Sequence, residues 1–199
     1  MGEVMVGGTL DRRAVVSRLL EGRKDLLVVT GLGSAAYDVM AAGDHDNNYY
    51  LWAAMGSAAR VGLGVASAQP DRQVVVVTGD GEAMMGFGAL ATIAVQKPKN
   101  LAIVILDNGH FGETGMQLSH SGHGVRIDRA AAGLGFDWTA EITDMDGVGE
   151  LQRHLRNRDG LKLAVVKIVA DDKLPRVLPP RDGVHIKNRF RAALGFAPI

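Results

Sequence analysis

The chain has 199 residues and sets 22 Lys and Arg against 22 Asp and Glu, a formal net charge of zero. That length suits one domain, and a neutral chain lacks the basic excess of a general nucleic-acid binder. No cysteine is present, which excludes disulfides, thiolate zinc sites, cysteine nucleophiles and cysteine-held iron–sulfur clusters. Apolar runs reach about six residues, as in Leu101–Leu106, against the roughly 20 that a membrane-spanning helix needs. The opening MGEVMVGGTL lacks the basic start and apolar stretch of a signal peptide. With Val6 where Ser or Thr belongs, it also lacks a myristoylation pattern. A cytoplasmic protein with no nucleic-acid or membrane partner is expected. Glycine, at 26 residues, is roughly twice its usual ~7% share. Much of it follows apolar runs, where it would shape functional turns.

In chain order, Leu10–Glu21 carries apolar residues at helical spacing, and Leu26–Thr30 reads as a buried strand. Trp52–Ala68 is rich in small residues and reads as a helix. Gln73–Thr78 follows as a strand, Ala83–Val95 as a helix with Met84, Phe87 and Leu90 on one face, and Leu101–Asp107 as a strand. Val148–Leu155 and Ile186–Leu194 are shorter amphipathic helices flanking the strand Leu161–Val169. Nearly continuous Val/Ile runs mark strands covered on both faces, and their alternation with helices predicts an α/β fold around a mostly parallel sheet. One domain over 1–199 is expected. Its stretch 174–199 forms a C-terminal arm, opened by the Pro-rich Leu174–Arg181, which is either a plain loop or a strap across a neighbouring subunit.

Ligands of open parallel sheets bind beyond the C-terminal strand ends, and three such ends are chemically loaded. Gly31-Leu32-Gly33-Ser34-Ala35-Ala36 has the loose form G-x-G-x-x-A. The acid that should end a second strand is missing, since Asp44 and Asp46 lie in a polar segment, so this turn is structural or faces a different phosphate. Gly79-Asp80-Gly81-Glu82 joins a strand to a helix, where glycines expose backbone N–H groups and Asp80 offers a hard oxygen suited to Mg²⁺. Asp107-Asn108-Gly109 ends the next strand and adds an amide oxygen from Asn108. One carboxylate, one amide oxygen and a backbone carbonyl would leave Mg²⁺ room for diphosphate oxygens and a water. The bland alternative is two unrelated turns capped by Asp80 and Asn108.

Gly79-Asp80-Gly81, 25 intervening residues and Asp107-Asn108 resemble the signature of thiamine diphosphate enzymes. Asn48–Ala68 is similar to the stretch before the diphosphate turn in thiamine-dependent 2-oxoacid decarboxylases. Asp107–Gln117, DNGHFGETGMQ, follows the continuation found in the sulfopyruvate and phosphonopyruvate decarboxylases, the group most closely resembled. The resemblance implies a three-layer αβα thiamine diphosphate-binding fold and the cofactors thiamine diphosphate and Mg²⁺. Asp80 and Asn108 would ligate the metal by side chains, and His110 by its carbonyl. Gly79, Gly81 and Glu82 would meet the diphosphate, with Gly31 and Ser34 near its end and Phe111 and Gly112 alongside. Met55 would hold the cofactor bent, or else would be a core residue at a helix start, and the Ala53 carbonyl would accept from the aminopyrimidine. Three departures stand out: Ala53-Ala54 precede Met55 where Gly-Ser is common, Glu82 follows G-D-G, and Asp107 replaces the first Asn of a usual pair.

His45, His110, His120 and His123 are loop candidates for acid–base work or for binding a substrate carboxylate, His120 and His123 foremost, and Glu113 and Thr114, close after the metal turn, are candidates for a catalytic role. Tyr49 and Tyr50 line the pocket or pack, Met84 and Met85 pack in the core, and His185 lies at the surface. Decarboxylases of this kind use a second α/β domain that carries an activating glutamate, and this chain has room for one domain. The resemblance therefore implies a β subunit completed by an aminopyrimidine-binding α subunit, for instance as a dimer of heterodimers, acting on a small 2-oxoacid to give an aldehyde and CO₂. A carboligase or oxidoreductase subunit, and a non-catalytic binding subunit of the same fold, are the competing readings.

Overall fold

A computed structural model describes residues 7–171 and 174–199; the reading of the first six residues lies outside them. In chain order the elements are α1 (Arg12–Leu20), β1 (Leu27–Thr30), α2 (Ser34–Ala41), β2 (Asn48–Tyr50), α3 (Ala58–Ala68) and β3 (Val74–Gly79). There follow α4 (Asp80–Met85), α5 (Gly88–Gln96), β4 (Leu101–Asp107) and the short antiparallel pair β5 (His110–Phe111) and β6 (Gln117–Leu118). The chain continues with α6 (Ile127–Leu134), β7 (Trp138–Ile142), α7 (Met145–His154), β8 (Lys162–Lys167) and α8 (Gly183–Ala193). Six strands form one all-parallel sheet in the order β2-β1-β3-β4-β8-β7.

Alternation along the strands builds two cores. On β4, Ala102, Val104 and Leu106 face a cluster closed by Val15, Val16 and Leu19 of α1, Ala35 and Val39 of α2 and Val148 and Leu151 of α7. Leu101, Ile103 and Ile105 face the opposite cluster, closed by Ala58 and Ala66 of α3, Leu90 and Ile93 of α5 and Ile127 and Ala131 of α6. Helices on both faces of a parallel sheet make the three-layer αβα architecture expected. Helix α8 gives Ile186 to the first core and Phe190 to the second, and so covers the β2 edge of the sheet.

Several elements differ from the sequence reading. The predicted helix over 52–68 begins only at Ala58. Ala54 at φ 59° and Gly56 at φ 81° put the preceding residues in a left-handed conformation that no right-handed helix accepts. The predicted helix over 83–95 breaks into α4 and α5, because the backbone of Gly86 lies against that of Gly56 and leaves no room for a side chain at either. Strands β2 and β7 were not anticipated. One has three residues beside a polar loop, and the other is a half-exposed edge strand with no continuous apolar run. Helices α2 and α6 were also missed. Met84 packs on the second core as expected, whereas Met85 is exposed and does not.

Beyond β8, residues of the arm return to their own chain. The Pro175 carbonyl accepts from Arg13 Nη2 at 2.6 Å, and the Pro180 carbonyl from Trp52 Nε1 at 2.5 Å. Arg181 stacks over the Trp52 ring.

Candidate functional site

After β1 the chain passes through α2 on the first core's face to the outer strand β2. After β3 it passes through α4 and α5, on the opposite face, to β4. The two C-terminal strand ends therefore part their chains to opposite sides, and such a switch point opens a crevice. The register pairs Thr30 with Val77 and Gly79 with Leu106, which sets the turns after β1, β3 and β4 at one rim.

A cleft lies there. From the β1 turn it is lined by Gly33 and Ser34, from the β3 turn by Gly79, Asp80, Gly81 and Glu82, and from the β4 turn by Asn108, His110, Phe111, Gly112, Glu113 and Thr114. Met55 joins them from the loop before α3 and is 47% exposed, so it is no core residue. The structure thus gathers residues that the sequence separates by more than 80 positions. Four candidates are placed otherwise. Ala53 and the exposed His120 and His123 are not part of the lining, and the His120 ring meets Phe111 edge-on instead. Gly31 is also outside the lining, and its lack of a side chain makes room for the Glu82 carboxylate. Tyr49 and Tyr50 pack: Tyr49 meets Phe190 edge-on, and Tyr50 is buried and bonded to Asp44. His185 is exposed.

Asp80 opens α4 and is 2% exposed. Its Oδ2 accepts from the hydroxyls of Ser119 and Ser121. Ser121 Oγ also stands 2.7 Å from Asp107 Oδ1, and Asp107 Oδ2 pairs with Lys167 Nζ at 2.8 Å. Burial, with the nearby charge of Asp107, pushes the Asp80 carboxyl above the usual carboxylate range, against the hydrogen bonds that favour its ionised form. Lys167 balances Asp107, while Asp80 is bonded by neutral hydroxyls, so that a bound cation would balance its charge. Asn108 Oδ1 accepts the His110 N–H at 3.0 Å, and the Asn108 carbonyl meets His110 Nδ1 at 2.8 Å. Among the described residues no three His, Asp or Glu side chains form a metal site by themselves. Hard oxygens from Asp80 and Asn108 fit Mg²⁺ held jointly with phosphate oxygens.

Glu82 has a defined place. Its Oε2 accepts from Thr78 Oγ1 at 2.5 Å and its Oε1 from the Ala58 N–H at 3.3 Å, so its charge is taken up at the start of α3. A methyl group on Gly81 would come within 2.7 Å of the Phe111 ring, which keeps the β3 turn narrow.

A family model for the thiamine pyrophosphate enzyme, C-terminal TPP binding domain, matches residues 31–174. The chain belongs to this thiamine pyrophosphate enzyme family. The matched stretch of the thiamine pyrophosphate domain contains every cleft residue named above. The chain is 30% identical over 184 residues to the sulfopyruvate decarboxylase subunit beta of Methanocaldococcus jannaschii, covering 90% of this chain and 95% of that one. It is 36% identical over 192 residues to the phosphonopyruvate decarboxylase of Streptomyces viridochromogenes, covering 94% of this chain but 47% of that protein. Among solved structures, a thiamin diphosphate-dependent enzyme from Mycobacterium smegmatis superposes with a TM-score of 0.69 at 26% identity, covering 85% of this chain and 34% of that one.

Sequence reasoning missed five groups in or beside the cleft. Ser119 and Ser121 lie in the polar run after β6, where the only signal was two serines among histidines. Lys167 stands at the end of β8, directly across from Asp107 in the sheet register. Arg12 and Asp171 also line the cleft. Arg12 bonds Asp38 at 2.5 Å, and Asp38 is wholly buried. No helix among the described residues is long and apolar enough to cross a membrane.

Proposed function

We propose that the chain is the diphosphate- and Mg²⁺-binding β subunit of a two-subunit thiamine diphosphate-dependent decarboxylase. Its substrate would be a small 2-oxoacid, sulfopyruvate- or phosphonopyruvate-like, and its products an aldehyde and CO₂. The observation that carries this reading is the shared cleft, where Asp80 and Asn108 from neighbouring strand ends face Gly33, Ser34 and Met55. The near-complete overlap with a protein named subunit beta supports the two-subunit organisation. The chain spans only about half the length of the phosphonopyruvate decarboxylase, and an α subunit would supply the rest, including the glutamate that activates the aminopyrimidine.

In this reading Asp80, Asn108 and the His110 carbonyl hold the metal. Gly79, Gly81 and Glu82 border the diphosphate, with Ser34 at the start of α2, where backbone N–H groups favour an anion. Bound there, the cofactor supplies the electron sink for loss of CO₂. The chain's own residues anchor and shape: Met55 presents an apolar side chain to the cleft, and the hairpin-like stretch 110–118 closes one side of it. Glu113 and Thr114 stand at the rim for proton transfer, whereas His120 and His123 would need to be brought in by the assembled subunits.

The test mixes the chain with its α partner, thiamine diphosphate and Mg²⁺, and follows CO₂ and aldehyde from sulfopyruvate and phosphonopyruvate. Activity is expected only with both chains present. Equal turnover by this chain alone overturns the split site, a ketol product overturns decarboxylation in favour of carboligation, and absence of cofactor binding makes the chain a non-catalytic subunit.

A further inference from the structure

The buried rim between β3 and β4 holds more than the ligand candidates. Ser119 is fully buried, and its hydroxyl donates to Asp80 Oδ2. Ser121 Oγ lies 2.9 Å from the same oxygen, 2.7 Å from Asp107 Oδ1 and 2.9 Å from Ser119 Oγ. Each hydroxyl carries one proton. That of Ser119 serves Asp80, while that of Ser121 serves Asp80 or Asp107 at any moment, never both. Lys167 secures the far oxygen of Asp107, and the Gly109 N–H takes up Asp107 Oδ1 at 2.8 Å.

The serines are delivered by the backbone. The Ser119 N–H donates to the Gly109 carbonyl at 2.8 Å, and the His123 N–H donates to the Ser119 carbonyl at 3.2 Å. These bonds fold the stretch after β6 back onto the β4 turn. The Ser119 hydroxyl then grips one oxygen of Asp80 and the Ser121 hydroxyl lies beside the same oxygen, which fixes the plane of the carboxylate and so the direction of Oδ1.

Building on the Mg²⁺–thiamine diphosphate reading, we propose that Ser119 and Ser121 are positioning residues that set the metal affinity of Asp80, while Lys167 holds Asp107 apart from the metal. Removing a group that orients a metal ligand typically weakens metal binding about 10- to 100-fold.

The test titrates the full chain with Mn²⁺ at fixed thiamine diphosphate and follows the free Mn²⁺ signal by electron paramagnetic resonance. Ser121 is half-buried, so Ser121→Thr and Ser121→Val can be compared there as a pair of like shape differing in the hydroxyl. Ser121→Val and Ser119→Ala are expected to weaken Mn²⁺ binding about 10- to 100-fold, and Ser121→Thr to stay near the parent. If Ser119→Ala fails to fold, the Thr/Val pair decides. Parent-like affinity in Ser121→Val overturns the proposal. If Asp80→Asn loses Mn²⁺ while Ser119→Ala and Ser121→Val keep it, the positioning role alone falls. A parent that takes up no Mn²⁺ with the cofactor overturns the functional reading too.

Discussion

The carboxylate of Glu82 fills the space that any side chain on Gly31 would need. From that position it accepts from Thr78 and from the first N–H of α3, tying the ends of β1 and β3 to a helix on one face. Gly31→Ala is therefore expected to cost about 1–3 kcal/mol, the usual penalty for overpacking, read as a shift in the urea midpoint. In a Glu82→Ala background the same change should cost much less, because the space is then open. A coupling energy above about 0.5 kcal/mol in the double-mutant cycle is expected, and strict additivity would refute the packing argument.

Glu113 reaches from the turn after β5 to Gly33, the residue ahead of α2, and pairs with Arg176 at 3.6 Å. A carboxylate there competes with a diphosphate arriving at the same helix start. Glu113→Gln should tighten Mg²⁺–thiamine diphosphate binding roughly two- to fivefold, the scale of one charge at a helix N-terminus, in a calorimetric titration. Because Glu113 is also placed for proton transfer, turnover of the assembled enzyme should fall in the same variant; unchanged binding would refute the competition.

Asp80→Asn should abolish metal-dependent cofactor binding while stabilising the cofactor-free chain near neutral pH. Burial and the charge of Asp107 raise the Asp80 pKa in the fold. The folded chain then keeps this proton to higher pH than the unfolded chain does. The contribution of Asp80 to stability accordingly falls as pH rises from its ordinary value of 3.8 through the raised one. Urea denaturation at pH 3.5 and pH 7.5, which spans the window that opens at 3.8, should show the variant's advantage growing with pH.

Arg189 of α8 bonds Asp44 at 2.6 Å, and Tyr50 donates to the same carboxylate at 2.9 Å. Burial works to raise the Asp44 pKa, yet hydrogen bonds from Arg189, Tyr50 and the His45 N–H leave it below 3.8. The stability this gives is present above the ordinary aspartate value and is lost as pH falls through the depressed one. Arg189→Met should destabilise by about 1–2 kcal/mol at pH 7, between surface and buried pairs. The gap to the parent should narrow as pH falls below 3.8, and a pH-independent gap would point to packing alone.

Much was legible without coordinates. The Val/Ile runs of β1, β3, β4 and β8 dictate strands buried on both faces, because only a sheet covered twice accepts apolar residues at every position. Gly79-Asp80-Gly81 and Asp107-Asn108 likewise announced two turns at one rim, since each motif closes a strand and the two strands are neighbours. Tertiary structure alone decided the remainder. Small residues at 52–57 favour a helix locally, but the close backbone approach of Gly56 and Gly86 forbids it. His120 and His123 had suitable chemistry, yet the fold sends neighbouring Ser119 and Ser121 to Asp80 and leaves the histidines exposed. Lys167 became visible only through its register with Asp107. Strand identity follows from the local burial pattern. Which hydroxyl meets which carboxylate depends on how separate turns converge in space, and no local pattern encodes that.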